Sequence, residues 1–272
     1  SVRGHHSYPC MDTTVMNNVI LIIREIIKKF ILFFVLKLNL GTTNIIFKLE
    51  KSDKYFDKIN NSFLKALSGK TNLPNWILQM DGMSGVKFRS FLNFIFEDNK
   101  NNTLNYLEIG SWRGSTLCSA LYNNNLSAKC IDNFSQFRGM KFKLLANAKR
   151  ACKNSSLSKF ELIDLDFYKI DFSKFGMFDV YFYDGPHSQK NHYDAIHEVK
   201  PALKEEFIFI VDDWNWSEIR NGTENALKDN QIKIISKIEV FTNINNKSPR
   251  FLNRQYSDWH NGIFIASCKK NT

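Results

Sequence analysis

The sequence predicts an α/β protein built on a mostly parallel sheet, and three observations carry that prediction. The first is a pair of short, aromatic-rich apolar runs, Phe178-Asp-Val-Tyr-Phe-Tyr-Asp184 and Phe207-Ile-Phe-Ile-Val-Asp-Asp-Trp214, each reaching carboxylate at its end. The second is the helix-forming segment between them, roughly Gln189 to Leu203. A strand, helix, strand succession of this kind makes a right-handed parallel crossover. The third is Tyr106-Leu-Glu-Ile-Gly-Ser-Trp-Arg-Gly-Ser-Thr116, an apolar strand that runs into a glycine turn and then a helix. At 272 residues and 43% hydrophobic content the chain can bury a full core of this class.

Taken in order, residues 1–16 read as a leader outside the core, 17–100 as a helical extension and 101–272 as the main domain. From Asn18 to Leu38 the chain is strongly apolar but is interrupted by Arg24, Glu25, Lys28, Lys29 and Lys37, which argues against a membrane span. On a helical wheel Asn18, Arg24, Glu25, Lys28 and Lys29 share one arc, and Ile20, Ile23, Ile26, Ile27 and Phe30 the other. Such a basic amphipathic helix packs on the domain, forms a dimer face or makes peripheral contact with a membrane. Packing would bury Ile23, Ile27 and Phe30. Lys54 to Leu67 and Val86 to Phe96 are further helices, with Gly82-Met-Ser-Gly85 a loop before the second. The strands are then Tyr106 to Ile109, Lys129 to Asp132, Phe160 to Ile163, the two acid-tipped runs, Gln231 to Thr242 and Gly262 to Cys268, with a helix from Phe142 to Cys152.

Charge and cysteine narrow the function classes. A net charge of +10 and a pI near 9.3 raise the question of nucleic acid. Lys and Asn are abundant throughout, however, and no basic block marks a binding arm, so nucleic acid is not the expected partner. Cys10, Cys118, Cys130, Cys152 and Cys268 are odd in number and scattered, with no paired zinc spacing, and read as thiols of a reducing, cytoplasmic compartment.

The chemistry gathers at strand ends. Neighbouring parallel strands lie about 4.8 Å apart, so Asp184, Asp212 and Asp213 would converge at the sheet edge where α/β proteins bind ligands. That cluster suits a cation. Gly110 and Gly114 allow close approach of a ligand to the backbone beside a helix N-terminus. The turn is not the dinucleotide fingerprint, because Trp112 and Ser115 stand where that pattern needs glycine, and no Gly-Lys-Ser/Thr follows as a phosphate loop requires. Glu108 inside the strand would repel a pyrophosphate but suits an ammonium or sulfonium group, and Asp132 is placed to accept hydrogen bonds from ribose hydroxyls.

Glu108-x-Gly110-x-x-x-Gly114, then Asp132, then Phe178 to Asp184, resembles the S-adenosylmethionine-binding core of class I methyltransferases over roughly Leu104 to Lys269. The separation of Asp184 from Asp212, with Asp213 following, is similar to the Mg²⁺ triad of the metal-dependent O-methyltransferases of the catechol and macrolide-sugar (macrocin, mycinamicin) types. The resemblance implies a Rossmann-like, doubly wound, seven-stranded sheet of order 3-2-1-4-5-7-6 with an N-terminal helical extension. It implies an S-adenosylmethionine site at Glu108, Gly110, Ser111, Gly114, Asp132 and Asp166, with Asp166 near the adenine amino group. It implies a Mg²⁺ site at Asp184, Asp212 and Asp213 and transfer of methyl to a hydroxyl of a small molecule or sugar. Non-catalytic cofactor binding in a polysaccharide-assembly scaffold and metal-independent transfer stand as alternatives.

Two departures concern the base. The catechol enzymes carry lysine where this chain has His187, and the macrolide-sugar enzymes an acid where it has Pro186. His187 is either the base at the cleft or a loop histidine in solvent. Lys204-Glu205-Glu206 replaces the usual Gly-Gly before the fifth strand and reads as a turn. Ser188 and Asn215 read as helix caps, Asn215 in a capping box with Glu218, which leaves the three aspartates free for other roles. His192 and His197 read as surface or packing residues, and Trp112, Trp214 and Trp216 as core or as cleft-side stacking residues.

Overall fold

The structure is a computed structural model that describes residues 13–38, 43–97, 103–136, 138–153, 158–249, 252 and 254–271. Cys10 and nearly all of the expected leader lie outside the described residues. One sheet organises the chain. Its strands are β1 (Asn44–Lys48), β2 (Leu104–Ile109), β3 (Leu126–Ile131), β4 (Lys159–Ile163), β5 (Phe178–Tyr183), β6 (Leu203–Val211), β7 (Ile232–Phe241) and β8 (Ile263–Lys270), in the order β1-β7-β8-β6-β5-β2-β3-β4. β2 to β6 pair in parallel, while β8 lies antiparallel between β6 and β7. Numbered from β2, the order is the expected 3-2-1-4-5-7-6 of a Rossmann-like fold, with β1 added antiparallel on the outer side of β7.

The helices are α1 (Thr13–Lys37), α2 (Phe56–Leu67), α3 (Asn75–Leu78), α4 (Val86–Ile95), α5 (Ser115–Leu121), α6 (Lys141–Cys152), α7 (Gln189–His197) and α8 (Ser217–Asp229). They cover both faces of the sheet, which is why β5 is buried at every position and carries no polar alternation. Ile208 and Ile210 of β6 face a cluster with Phe63, Phe88, Phe91 and Leu117 from α2, α4 and α5. Phe207, Phe209 and Val211 face the opposite cluster with Ala195 and Ile219 from α7 and α8. The buried face of α2 and all of α4 therefore belong to the same core as the sheet, and no boundary between cores falls near residue 100.

Three sequence expectations change here. Lys204, Glu205 and Glu206 lie inside β6 rather than in a turn, and the β5–β6 register shifts between Phe178 and Val180 to admit them. Lys204 answers Asp179 at 2.7 Å and Lys269 answers Glu206 at 3.0 Å, so the charged strand start is paired. The extension, expected to be helical, contributes β1 to the sheet; five residues with one partly buried side chain gave no strand periodicity to read. Ile23, Ile27 and Phe30 of α1 are not buried, standing at 50%, 51% and 64% exposure. Only the last turns of α1 pack, through Leu32 and Val35.

Candidate active site

Beyond the strand ends the backbone ladder continues for one step. Gly110 N–H donates to Ile131 O, Asp184 N–H to Ile109 O and Asp212 N–H to Tyr183 O, at 2.9, 2.9 and 3.1 Å. The first residues after β2, β5 and β6 are thereby laid side by side. At Gly110, with φ of +91°, a Cβ would lie 1.8 Å from the Asp184 carbonyl oxygen. The neighbouring chain, rather than a ligand, is what demands glycine there. Gly114 (φ +81°) precedes α5 in left-handed conformation, and a Cβ there would meet nothing closer than Leu144 at 3.4 Å and Cys118 Sγ at 3.7 Å.

Glu108 is fully buried beneath this turn. Its carboxylate accepts from Tyr106 Oη at 2.6 Å and Thr116 Oγ1 at 2.8 Å, and burial pushes its pKa up to about 7. Because the folded pKa is above the ordinary 4.5, the folded state favours the neutral acid, and stability falls as pH rises from about 4.5 through 7. Glu108→Gln is expected to remove that slope. Urea melts at pH 5 and pH 8 should show the variant gaining up to about 3 kcal/mol over the wild type between the two. Equal differences at both pH values would refute the assignment.

Asp132 accepts from Trp112 N–H and Phe134 N–H, both at 2.7 Å, and so ties the β2–α5 turn to the loop after β3. Burial raises its pKa. It lines a cavity of about 270 Å³ together with Gly110, Ser111, Trp112, Asn133 and Ser84. Glu108, Gly114 and Asp166 do not line that cavity. Asp166 caps the short turn after β4 by accepting from Tyr168 N–H, and reaches the cavity only through Asn133, whose Nδ2 donates to it at 3.3 Å.

A second cavity of about 260 Å³ adjoins the first, and Met83, Asp184 and His187 line both. Asp212, Asp213, Trp216, Glu218, Ile219, His260 and Asn261 complete its wall. His187 Nε2 stands 3.2 Å from Asp213 Oδ2 and 3.8 Å from Asp184 Oδ1. Asp184, His187 and Asp213 each offer one donor atom within 4.8 Å of the others; Asp212 shares the cavity but not that close group. Asp213 is held with φ of +59° and accepts from Asn261 Nδ2 at 2.6 Å. Burial, then the neighbouring carboxylates, push Asp184 and Asp212 well above the usual carboxylate range. Asp212 Oδ1 and Asn261 Oδ1 are buried with no hydrogen-bond partner among the described residues. Orphaned hard oxygens beside mutually repelling carboxylates fit an oxygen-liganded divalent cation.

His260 escaped the sequence reading, because nothing in the spacing of Asp258-Trp-His260 links it to residues at the other strand ends. It is buried, its pKa is lowered to about 4 by burial, and its Nδ1 accepts from Arg254 N–H at 2.9 Å. A neutral ring that accepts at Nδ1 carries its proton on Nε2, so His260 is a hydrogen-bond donor. The Met83–Ser84 wall is also fixed. Arg89, fully buried on α4, donates to Ser84 Oγ at 2.9 Å, Ile77 O at 2.7 Å and Met80 O at 2.8 Å.

Other expectations sort plainly. Ser188 caps α7, accepting from Asn191 N–H. Asn215 caps nothing and forms no box with Glu218; it is buried and accepts from Thr242 and Asn243 N–H, while Asn246 Oδ1 takes Ser217 N–H at the start of α8. Trp214 is core, stacked on Phe264 with its indole N–H on Glu239. Trp112 and Trp216 line the cavities. His192 is packed edge-on against Tyr183 and His197 is exposed.

Residues 107–214 match the profile of a methyltransferase domain family. That segment runs from β2 through the acids after β6 and contains every predicted site residue. No curated protein matches the chain. Among solved structures, similar folds include a presumed SAM-dependent methyltransferase from Streptococcus mutans, at 14% identity over 66% of this chain and 47% of that one, with a TM-score of 0.42. The O-methyltransferase from Bacillus cereus in complex with SAH gives 13% identity, 78% and 91% coverage and 0.44. The SAH-bound methyltransferase from Podospora anserina gives 11%, 79% and 88%, and 0.45. The chain thus spans about half the length of the Streptococcus mutans protein. At these identities none of them assigns a donor, an acceptor or a metal to this chain.

Proposed function

We propose that the chain transfers a methyl group from S-adenosylmethionine to a hydroxyl of a small molecule, with a vicinal diol such as a sugar's the preferred acceptor and Mg²⁺ the preferred ion. The observation that carries this reading is the pair of adjoining cavities, one beside the Gly110 turn and Asp132, the other walled by three aspartates, meeting at Asp184, His187 and Met83. Donor and acceptor would lie on either side of that seam. A sulfonium donor supplies an already activated carbon, so the new O–C bond forms as the S–C bond breaks and the electron pair stays on sulfur.

The protein's task is then alignment and removal of one proton. Asp132 would accept from the ribose hydroxyls with the lone pairs left over from Trp112 and Phe134 N–H, while Ser111 and the Gly110 turn face the rest of the nucleoside. Asp184 and Asp213, with Asp212 behind them, would hold the cation, whose chemistry is to lower the pKa of a bound hydroxyl. His260 would donate from Nε2 to an acceptor oxygen. His187, at the seam of the two cavities, would take the hydroxyl proton, with Asp213 orienting the ring.

The test is calorimetry with S-adenosylmethionine, followed by a search for S-adenosylhomocysteine release with sugar diols and catechols. Asp132→Ala should weaken donor binding by about 1.5–3 kcal/mol, the loss of a charge-assisted acceptor. Wild-type protein that binds no donor would end the methyltransferase reading. Donor binding without turnover on any acceptor would favour a scaffold.

A further inference from the structure

We infer that α1 is a membrane-surface element that lays its outer face on an anionic lipid surface. The inference stands apart from the methyl-transfer reading. α1 has two apolar sides of different fate. One side ends in Leu32 and Val35, which are 9% and 1% exposed and seat the helix on the domain. The opposite side carries Ile22, Ile26, Phe30 and Phe33, which are 59–64% exposed. At 100° per residue these four fall within one arc that Leu32 and Val35 do not enter.

Charge selects the partner. Ile23, Ile27 and Ile20, also exposed, widen the arc; Lys29 borders it beside Ile22 and Arg24 stands beyond Ile20 at the other edge. The helix carries four cations (Arg24, Lys28, Lys29, Lys37) against one carboxylate, Glu25, which already holds Lys28 at 2.9 Å. A second copy docking by the same face would bring these cations together, in a chain of net charge +10. Anionic headgroups complement them, while the Ile and Phe side chains enter the acyl boundary. No helix among the described residues is long and apolar enough to cross a membrane, so the contact proposed is with the surface.

The inner end of the helix is clasped. Leu38 O accepts from Lys87 Nζ at 3.0 Å, and a Cβ on Gly69 would lie 2.1 Å from Leu36 O. Ile31, Leu32 and Val35 share a small cavity with Gln79, Gln255 and Tyr256. Gln255 reaches Asp81 at 3.5 Å, Asp81 pairs with Arg113, and Arg113 stacks on Trp112 of the first cavity. A lipid-bound helix would therefore hold the cleft in fixed relation to the surface.

The experiment is co-sedimentation of the full chain with phosphatidylcholine vesicles that contain phosphatidylglycerol. Binding is expected, weakened by salt and weaker again on pure phosphatidylcholine. The triple variant Ile22→Ser, Ile26→Ser, Phe30→Ser should bind about a hundredfold more weakly with an unchanged melting temperature, because its side chains touch solvent in the folded chain. Arg24→Glu with Lys29→Glu keeps the apolar face and should lose the preference for anionic vesicles. A wild-type chain that stays in the supernatant, or a triple variant that binds as wild type, overturns the proposal. So does a dimer in sedimentation equilibrium that the triple variant dissolves while vesicles bind neither protein.

Discussion

Asp184→Asn and Asp212→Asn should each lower turnover by about 10²–10³-fold, the scale seen when one preorganised electrostatic partner is removed from a reacting centre. Both side chains line the second cavity, and Asp184 also borders the first, so donor affinity should change far less than turnover. A readout independent of turnover is available. Burial and mutual repulsion hold Asp184 and Asp212 against ionisation, and an ion binding between the acids relieves both. Mg²⁺ or Mn²⁺ at about 100 times its dissociation constant should stabilise the wild type by about 2.7 kcal/mol, several degrees in a thermal melt, and EDTA should reverse it. The Asn variants should lose most of that response. A wild-type melt indifferent to both ions, with turnover unaffected by EDTA, would remove the metal and leave His187 alone to move the proton.

Gly110→Ala should be the most damaging single substitution at the cleft, through folding rather than through binding. The added Cβ would lie 1.8 Å from the Asp184 carbonyl oxygen, and φ of +91° is strained for any side chain. Neither the backbone of β5 nor the hydrogen bond from Asp184 N–H to Ile109 O can give way locally. Destabilisation of about 4 kcal/mol or more is expected, with loss of soluble protein or a collapse in melting temperature. Gly114→Ala is the matched control: its Cβ comes no closer than 3.4 Å to any neighbour, the Leu144 side chain being nearest and Cys118 Sγ next at 3.7 Å, so the left-handed backbone should dominate at about 1–2 kcal/mol. A Gly110→Ala protein of normal stability that failed to bind the donor would return the glycine to a ligand-contact role.

Much of the sheet was legible because both of its faces are covered. Val180 to Tyr183 of β5 and Phe207 to Val211 of β6 are unbroken apolar runs, and a strand stretch buried on both sides announces itself that way. The acids after β5 and β6 were legible as a group for the same reason, since parallel neighbours must end together. What sequence could not supply is who satisfies whom. Asn215 looks like a cap by position, yet its amide is used by Thr242 and Asn243, whose nearness exists only once β7 and β8 have paired. Glu108 sits in the pattern of a ligand-binding acid, yet both of its oxygens are taken from within the core. His260 enters the cleft from the start of β8, at a distance in sequence that no motif spans. β1 was invisible because its order comes from β7, with only Ile45 half inside.

The added edge strand β1 also dictates an order of assembly. β1 can form only against β7, and the segment that follows it is fastened to the far end of the chain: Glu50 N–H donates to Ser236 Oγ across 186 residues, and Asp53 Oδ1 accepts from Ser267 Oγ across 214. α4 begins by donating from Val86 and Lys87 N–H to Ser257 and Asp258 O, just ahead of β8. Closing loops of that length precedes the gain from the contacts they make, which slows folding and raises contact order. A ribosome emitting this chain would release residues 44–97 long before their partners exist. The expected nucleus is the consecutive β2-β3-β4-β5-β6 crossover region, with the N-terminal layer expected to condense onto it last. Pulse-labelled hydrogen exchange would register that sequence as late protection of the Asn44–Lys48 amides relative to those of β5.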